Sequence, residues 1–361
     1  LDVGTDNLGL LSSDMYLGER HARVRGERYD EFLEHFVRTV DRLFPNAMLH
    51  WEDFGAANAH RLLARYRDDY CTFNDDIQGT AAVVLAALLA AVDITGQDLD
   101  EHRIVVFGAG TAGLGIATLV RDTMLRSGRV ADLQDVHSRF WSIGINGLYL
   151  DDQPELLEFQ RPWARSRDDI ADWDVADCDH ITLADVIRNV RPTILLGTST
   201  KGGAFTEELV REMAEHTERP IIFPLSNPTN RAEATPTNLI RWTDGKALIA
   251  TGSPFDHVDH AGVRYRIAQS NNALIFPGLG LGVAACRASR VTESMIAAAA
   301  SALAGLVNAW RPGASLLPGM DDLRRVSATV ALAVAAQAER DGVARTPLTN
   351  PIDEVYGRMW Q

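Results

Sequence analysis

Two pairs of carboxylates near the start of the chain are the residues best suited to chemistry. Glu52 and Asp53 follow an apolar stretch that predicts a strand over residues 48–51, and Asp75 and Asp76 open a long Ala-rich helix. Adjacent carboxylates repel each other, so pairs at a strand end and in a loop indicate an oxygen-ligand site for a hard cation, Mg²⁺ or Mn²⁺. Spacing alone also allows a solvated turn at the first pair and helix capping by the second.

A glycine-rich turn is the second candidate site. Residues 108–113 read GAGTAG, between a predicted strand over 103–107 and a predicted helix over 112–125. Glycines in this context allow a tight turn and close approach of the backbone to a pyrophosphate, which lies at the positive end of the helix dipole. We expect a dinucleotide to bind at five residues of this turn: Gly108, Gly110, Thr111, Ala112 and Gly113.

The acid that usually accompanies such a turn is missing from the next predicted strand, residues 140–145. That strand ends in Gly144 and is followed by Asn146. An acid at this place hydrogen-bonds the adenosine ribose, whereas a basic residue accommodates a 2′-phosphate. Because neither is present, the residues leave open whether the cofactor is NAD or NADP.

Two asparagine motifs are the third candidate. Ser226-Asn227-Pro228 follows a predicted strand over 220–225, and Asn271-Asn272 precedes a Phe-Pro-Gly sequence. Ligands of doubly wound folds bind at the carboxyl ends of strands, where an amide can donate to a substrate carboxylate or to the nicotinamide ribose. Turn formation explains both motifs equally well, because Asn-Pro and Pro-Gly favour turns.

Predicted strands alternate with predicted helices through the middle of the chain. The strands are expected over 103–107, 140–145, 193–196, 220–225 and 247–251. Alternation of this kind predicts βαβ units, and therefore an α/β fold with a doubly wound, mostly parallel Rossmann-type sheet. Helical patterns at both ends of the chain predict a second, split domain of helical and mixed structure.

Composition limits the class of partner. The 361 residues carry 35 Lys+Arg against 49 Asp+Glu, a formal net charge of −14. This acidic balance argues against nucleic acid and against an anionic membrane surface. The longest apolar run, residues 81–92, is too short to span a membrane and predicts a buried helix. Three well-separated cysteines form neither a disulfide framework nor a zinc-type pairing, so we expect a cytoplasmic protein.

Taken together, these segments resemble the malic enzyme family over nearly the whole chain. The matching motifs are LDVGTDN at 1–7, YLG at 16–18, WEDF at 51–54, CTFNDDIQGT at 71–80, LSNPT at 225–229, GSPF at 252–255 and NNALIFPG at 271–278. FNDDIQGT together with SNPT is very specific. The resemblance implies oxidative decarboxylation of (S)-malate to pyruvate and CO₂, with reduction of NAD or NADP and a required Mg²⁺ or Mn²⁺.

The resemblance also implies a role for each residue that stands at a family motif position. It implies that the metal ligands are Glu52, Asp53 and Asp76, and it places Asp75 beside the catalytic base. It implies that malate is bound by Asn227, Asn271 and Asn272. Besides the glycine-rich turn, it implies that the cofactor contacts Ser199 and Asn227. The implied domains are residues 1–74 for substrate and metal, 75–270 for NAD(P), and 271–361 completing the first.

The chain departs from the family pattern at two places. The family takes a Tyr general acid, a Lys general base and an Arg for malate from segments preceding LDVGTDN, so we expect them upstream of Leu1. Without them, the chain is expected to bind cofactor and metal better than it turns over malate. Many family members carry the ribose-binding acid where Gly144 stands, so NAD is favoured only slightly over NADP.

Three other functions remain open at this stage. A malolactic enzyme shares the fold and motifs but converts malate to lactate and CO₂. A non-catalytic nucleotide-binding protein needs neither the acid nor the base. Another two-domain NAD enzyme, such as an amino-acid dehydrogenase, would not need the carboxylates of FNDDIQG. We expect the protein to form a homodimer or homotetramer.

Overall fold

The computed structural model describes residues 3–359, so Leu1 and Asp2 of the first family-like motif lie outside the described residues. Compactness divides the chain into two units, residues 1–47 and residues 48–361. In the first unit, the Thr5 N–H donates to His21 O and the Val24 N–H donates to Val3 O, each across 2.9 Å. The described part of the motif is therefore held by backbone pairing with a later segment of the same unit.

Helices occur in both units, and helices alternate with strands through most of the second unit. The α-helices are α1 (Leu8–Leu11), α2 (Glu27–Leu43), α3 (Ala56–Tyr66), α4 (Thr80–Thr95), α5 (Thr111–Ser127), α6 (Leu133–His137), α7 (Leu183–Val190), α8 (Glu207–His216), α9 (Pro236–Trp242), α10 (Phe276–Cys286), α11 (Glu293–Ala304), α12 (Leu323–Arg340) and α13 (Pro351–Arg358). The strands are β1 (Leu49–Trp51), β2 (Thr72–Asn74), β3 (Ile104–Phe107), β4 (Phe140–Gly144), β5 (Gly147–Leu148), β6 (Ile194–Gly197), β7 (Ile221–Pro224), β8 (Leu248–Thr251), β9 (Val258–His260), β10 (Val263–Tyr265) and β11 (Ala268–Gln269).

The central sheet has the order β11-β8-β7-β6-β3-β4-β5, and its neighbours are parallel except for β4 and β5. The chain passes from β3 to β4 on one side and then returns to β6 on the other side of β3. The loops after β3 and β6 therefore diverge at the carboxyl end of the sheet, which is where doubly wound folds bind ligands. The predicted α/β class and Rossmann-type sheet are confirmed.

The strands that the sequence does not predict are all short. β2, β9 and β10 have three residues each, and β5 and β11 have two. Alternation of apolar and polar residues needs about four residues before it can be recognised, so these strands leave no local pattern. The unpredicted β2 is the one that matters for the site, because it precedes Asp75.

Helix α4 lies in the core of the second unit. Together with the turn before it, the stretch Asp75–Thr95 is long and apolar enough to cross a membrane by length and composition. However, 78% of its most apolar window is buried inside the protein, where α4 packs against α5 and α11. A helix that is apolar on all sides and covered by its own chain is typical of a protein core.

The helices that follow the sheet pack mainly on one another. α10 lies against α12, and α11 packs against both α12 and α4. The division into units reflects compactness and does not test which residues hold substrate or cofactor. The predicted boundaries 1–74, 75–270 and 271–361 therefore stay predictions.

Candidate active site

A pair of short parallel strands brings the predicted carboxylates to one place. β1 and β2 pair in register along their whole length, so the residues that follow them leave the pair at the same end. Glu52 and Asp53 follow β1, and Asp75 and Asp76 follow β2. The Asp53 N–H donates to Oδ2 of Asp76 across 2.9 Å. Asp53 has a left-handed backbone with φ of 60°, which aspartate tolerates better than most residues do.

Asp75 is a buried carboxylate with one oxygen that lacks a protein partner. Its side chain is 3% exposed, and Oδ1 has no hydrogen-bond partner within the described residues. Oδ2 accepts a hydrogen bond from Nδ2 of Asn272 across 3.1 Å. Burial raises the pKa of Asp75, and the bond from Asn272 opposes that shift. A buried carboxylate oxygen left without a donor is suited to a cation or to a proton donor on a ligand.

The other three carboxylates are exposed, and their arrangement is open. Burial raises the pKa of Asp76, while the Asp53 N–H lowers it. Among residues 3–359, no group of three His, Cys, Asp or Glu side chains is already arranged to hold a metal ion. Like-charged carboxylates repel one another, which accounts for their not being gathered around a single point. The carboxylate oxygens of Glu52, Asp53 and Asp76, on adjoining loops, fit Mg²⁺ or Mn²⁺ in donor chemistry.

Asn74 caps the turn that carries the second acid pair. Its Oδ1 accepts from the Ile77 N–H across 2.8 Å, and its own N–H donates to Oε1 of Gln78 across 3.0 Å. Residues Asp75–Gly79 form a single π-helical turn that continues into α4. Because Asn74 supplies the cap, the side chains of Asp75 and Asp76 do not serve that purpose. An Asn directly before a helix is a capping signal that the sequence does contain.

A cavity of about 460 Å³ joins the carboxylates to the asparagine motifs. Its acidic and amide lining residues are Glu52, Asp75, Asp76, Asn227, Gln269, Asn271 and Asn272. Asp53 is not among the lining residues, although its backbone holds Asp76. The structure thus brings most of the predicted metal and substrate residues to one cavity, from segments far apart in the chain.

The three predicted asparagines form hydrogen bonds with different partners. Oδ1 of Asn227 accepts from the Ser253 hydroxyl, which leaves its Nδ2 to donate to a ligand. Asn272 already donates to Asp75 and contacts Thr80, so it holds the buried carboxylate in place. Oδ1 of Asn271 accepts from the Ala273 N–H across 2.9 Å and caps a short 3₁₀ turn. The second motif, residues 271–272, therefore forms a turn and also lines the cavity.

A second cavity, of about 790 Å³, lies at the carboxyl ends of β3, β4 and β6. Gly108, Gly110 and Ser199 line it. Gly108 has φ of 90°, and a Cβ there would lie 2.4 Å from Cα of Ser199, so the turn requires glycine. The N-terminus of α5 has no side-chain cap, which leaves its first N–H groups for an anion. Thr111, Ala112 and Gly113 form that first turn and do not line the cavity within the described residues.

The missing ribose acid has a structural explanation. A Cβ at Gly144 would lie 2.4 Å from Cε1 of Tyr149, so the Tyr149 ring occupies the space of a side chain at residue 144. The Tyr149 hydroxyl donates to Ala109 O across 2.8 Å and accepts from Nε2 of Gln160 across 2.7 Å. Burial raises the pKa of Tyr149. No local pattern in the sequence indicates this role for Tyr149.

Comparisons with known proteins find similar sequences along nearly the whole chain. The family model described as "Malic enzyme, NAD binding domain" matches residues 77–339, and "Malic enzyme, N-terminal domain" matches residues 1–67. NAD-dependent malic enzyme 3 of Bacillus subtilis is 52% identical over 361 residues, 100% of this chain and 63% of that protein. An NAD-dependent malic enzyme of Pseudomonas aeruginosa is 48% identical over 345 residues, 95% of this chain and 61% of that protein. The chain thus spans a little under two thirds of these relatives' length.

The structure is also similar to solved structures of malic enzymes. The malic enzyme from Pyrococcus horikoshii has a TM-score of 0.67 at 26% identity, covering 90% of this chain and 68% of that chain. The malic enzyme from Entamoeba histolytica has a TM-score of 0.71 at 24% identity, covering 93% and 64% respectively. The second comparison is evidence for the shared fold alone.

Proposed function

The chain belongs to the malic enzyme family, and from that membership we propose that it takes part in the oxidative decarboxylation of (S)-malate to pyruvate and CO₂, with reduction of NAD. The observation that carries the proposal is the pair of cavities at the carboxyl end of one sheet. Asn227 lines the carboxylate and amide cavity, and Ser199 lines the glycine-rich cavity. Hydride transfer needs substrate and nicotinamide side by side, and β6 and β7, which precede Ser199 and Asn227, are parallel neighbours in the sheet.

The first cavity suits a small dicarboxylate with a hydroxyl group. Nδ2 of Asn227 is a donor for a malate carboxylate or hydroxyl, and it is oriented by the Ser253 hydroxyl on the carbonyl end of the amide. Glu52, Asp53 and Asp76 would hold a divalent cation beside it. Lewis-acid stabilisation of negative charge on the C2 oxygen of malate is what a bound Mg²⁺ or Mn²⁺ supplies.

Asp75 is proposed to orient a proton-transfer group rather than to bind the cation. It is buried, and Asn272 holds one of its oxygens, so the other is in a defined position. A carboxylate in such a position can accept a hydrogen bond from a general base and fix its orientation.

The second cavity is proposed to bind NAD. The pyrophosphate would lie against Gly110 and the N-terminus of α5. The space beside Gly110 is open, because a Cβ built there would come no closer than 3.9 Å to Gly108 O, the nearest described atom beyond the adjacent residues. Cationic side chains, Lys201 and Arg231, also line this cavity, which favours an anionic ligand. The relatives named NAD-dependent support NAD over NADP. Cytoplasmic location and a homo-oligomeric state stay predictions.

One assay separates the proposed activity from its alternatives. The protein is supplied with malate, Mn²⁺ and either NAD or NADP, and pyruvate, lactate and reduced nicotinamide are measured together. Pyruvate and NADH in equal amounts support the proposal. Lactate without net NADH identifies malolactic activity, whereas a binding protein would bind NAD and Mn²⁺ and form neither product even in a full-length chain. Faster turnover with NADP would contradict the cofactor assignment.

A further inference from the structure

Glu233 is a fully buried carboxylate whose hydrogen-bond donors are all neutral. Its side chain is 0% exposed. Oε1 accepts from the Ser199 N–H and the Ser199 hydroxyl, each across 2.8 Å, and from the Ser226 hydroxyl across 2.5 Å. Oε2 accepts from the Ser226 N–H across 3.4 Å. Burying a charged group is costly unless hydrogen bonds compensate, and here four of them come from only two residues.

The two serines stand at the start of neighbouring loops. Ser199 follows β6 and Ser226 follows β7, and the two strands are parallel neighbours in the sheet. The Ser226 hydroxyl also accepts from the Thr200 N–H across 2.8 Å. Thr200 has φ of 57°, a left-handed conformation that threonine rarely adopts. Glu233 therefore holds the first loop directly through Ser199 and indirectly through Ser226.

Each loop leads to one of the two cavities. The Ser199 backbone packs against Gly108, and the Thr198 hydroxyl donates to Gly108 O across 2.8 Å, so the first loop sets the position of the glycine-rich turn. Ser226 directly precedes Asn227, which lines the carboxylate cavity. A single buried carboxylate thus connects the backbone of the cofactor cavity to that of the substrate cavity.

We propose that Glu233 is a positioning residue that sets the separation between bound cofactor and bound substrate, acting through Ser199 and Ser226. The inference rests on the proposed function. The two Glu233 oxygens accept all four hydrogen bonds, from the hydroxyl and backbone N–H groups of Ser199 and Ser226. A carboxamide of the same size would set its NH₂ group against a hydroxyl or a backbone N–H.

The test compares Glu233→Gln with Asp341→Asn. Asp341 is a matched control because its carboxylate likewise accepts from two hydroxyls, those of Thr292 and Ser294, and it lies outside both cavities. Melting temperature and the Kd for NAD are measured for both variants by thermal unfolding and ligand titration. Both should melt lower than the unmodified protein. Only Glu233→Gln should weaken NAD binding, by about tenfold or more, as loss of a hydrogen bond to a charged group predicts.

Serine variants keep the inference testable if Glu233→Gln does not fold. Ser226→Ala removes one hydroxyl donor of Glu233 at a residue that lines neither cavity, and it should raise the Kd for NAD about threefold or more, since neutral partners contribute less. Ser226→Thr restores a hydroxyl and should recover most of the affinity, which a purely structural loss would not do.

The outcomes distinguish this inference from the proposed function. If Glu233→Gln and Asp341→Asn change NAD affinity equally, or if Ser226→Ala leaves it unchanged, Glu233 is structural only and the inference is overturned. If the unmodified protein binds no NAD, the proposed function fails, and the inference fails with it. Weakened NAD binding confined to the Glu233→Gln and Ser226→Ala variants supports the inference.

Discussion

The backbone N–H of Asp53 donates to Oδ2 of Asp76 across 2.9 Å, which joins two acidic loops 23 residues apart in the chain. The bond follows from the parallel pairing of β1 and β2, because both loops leave that pair at the same end. It fixes one oxygen of Asp76 and offsets part of the repulsion between the two acids. The parallel pairing of the two strands therefore brings the acidic loops together, and the Asp76 side chain adds a hydrogen bond between them.

Replacing Asp76 with Asn should weaken Mn²⁺ binding without disturbing this contact. The amide oxygen can still accept from the Asp53 N–H, but the negative charge is lost. The affinity of a site for a hard cation depends on how many of its ligands are negatively charged. We therefore expect the Kd of Asp76→Asn for Mn²⁺, measured by calorimetric titration, to rise about tenfold or more. The exposed Asp69→Asn is the control, and it should bind Mn²⁺ like the unmodified protein. Equal affinity of both variants would show that Asp76 is not a ligand.

Gly79→Ala should displace the Asp75 carboxylate. A Cβ at Gly79 would lie 2.1 Å from Oδ1 of Asp75, although the backbone there is helical and accepts alanine. We expect weaker malate binding and a loss of about 1–3 kcal/mol in the free energy of unfolding, as overpacking predicts. Denaturant unfolding and malate titration in the presence of Mn²⁺ measure the two effects.

Gly115→Ala is the matched control for that variant. Gly115 also lies within a helix, but a Cβ there would come no closer than 3.4 Å, to Cγ2 of Ile77. Alanine should therefore raise the free energy of unfolding by about 0.5–1 kcal/mol and leave malate binding intact. If both variants bind malate normally, the space beside Gly79 is not what holds Asp75 in position.

His102 should make the protein less stable in mild acid. It is 1% exposed, its Nδ1 lies 2.9 Å from Oγ1 of Thr193, and burial lowers its pKa. Below about pH 6.5, the unfolded chain binds a proton at this residue that the folded protein does not. The free energy of unfolding therefore falls as the pH falls, by up to about 1.4 kcal/mol per pH unit for one such group.

The measurement is unfolding free energy between pH 5 and 7.5 for the unmodified protein and for His102→Asn. Burial also lowers the pKa of His60 and of His137, so these residues also make the free energy of unfolding fall as the pH falls. His102→Asn should remove one share of the slope. Identical slopes in the two proteins would contradict the assignment to His102.

The cysteines should differ sharply in reactivity. Burial raises the pKa of the Cys71 thiol to about 12 and also raises the pKa of Cys286, whereas Cys178 is exposed. Only the thiolate is nucleophilic, so at pH 8 about one Cys71 in ten thousand is reactive. An aromatic disulfide reagent should modify one thiol rapidly in the native protein and three after denaturation. Loss of the rapid phase in Cys178→Ser confirms the assignment, and its persistence would contradict it.

The fold and the main site residues follow from local patterns in the sequence. Apolar strands alternate with helices, and the glycine-rich turn lies between β3 and α5, so the sheet and its cofactor turn can be predicted from neighbouring residues. The carboxylate pairs are visible for the same reason. Their convergence is not, because β2 is too short to leave a pattern before Asp75.

The contacts that organise the site depend on the tertiary structure. Asn272 donates to Asp75 from 197 residues away, Tyr149 occupies the space beside Gly144, and Glu233 lies beneath two loops. In the sequence, Glu233 cannot be distinguished from a solvated acid, since its burial comes from strands that are distant in the chain. Local patterns in the sequence are sufficient to predict which elements form and which groups can do chemistry. Only the packing of distant segments decided which of these groups meet, because such contacts have no periodicity along the chain.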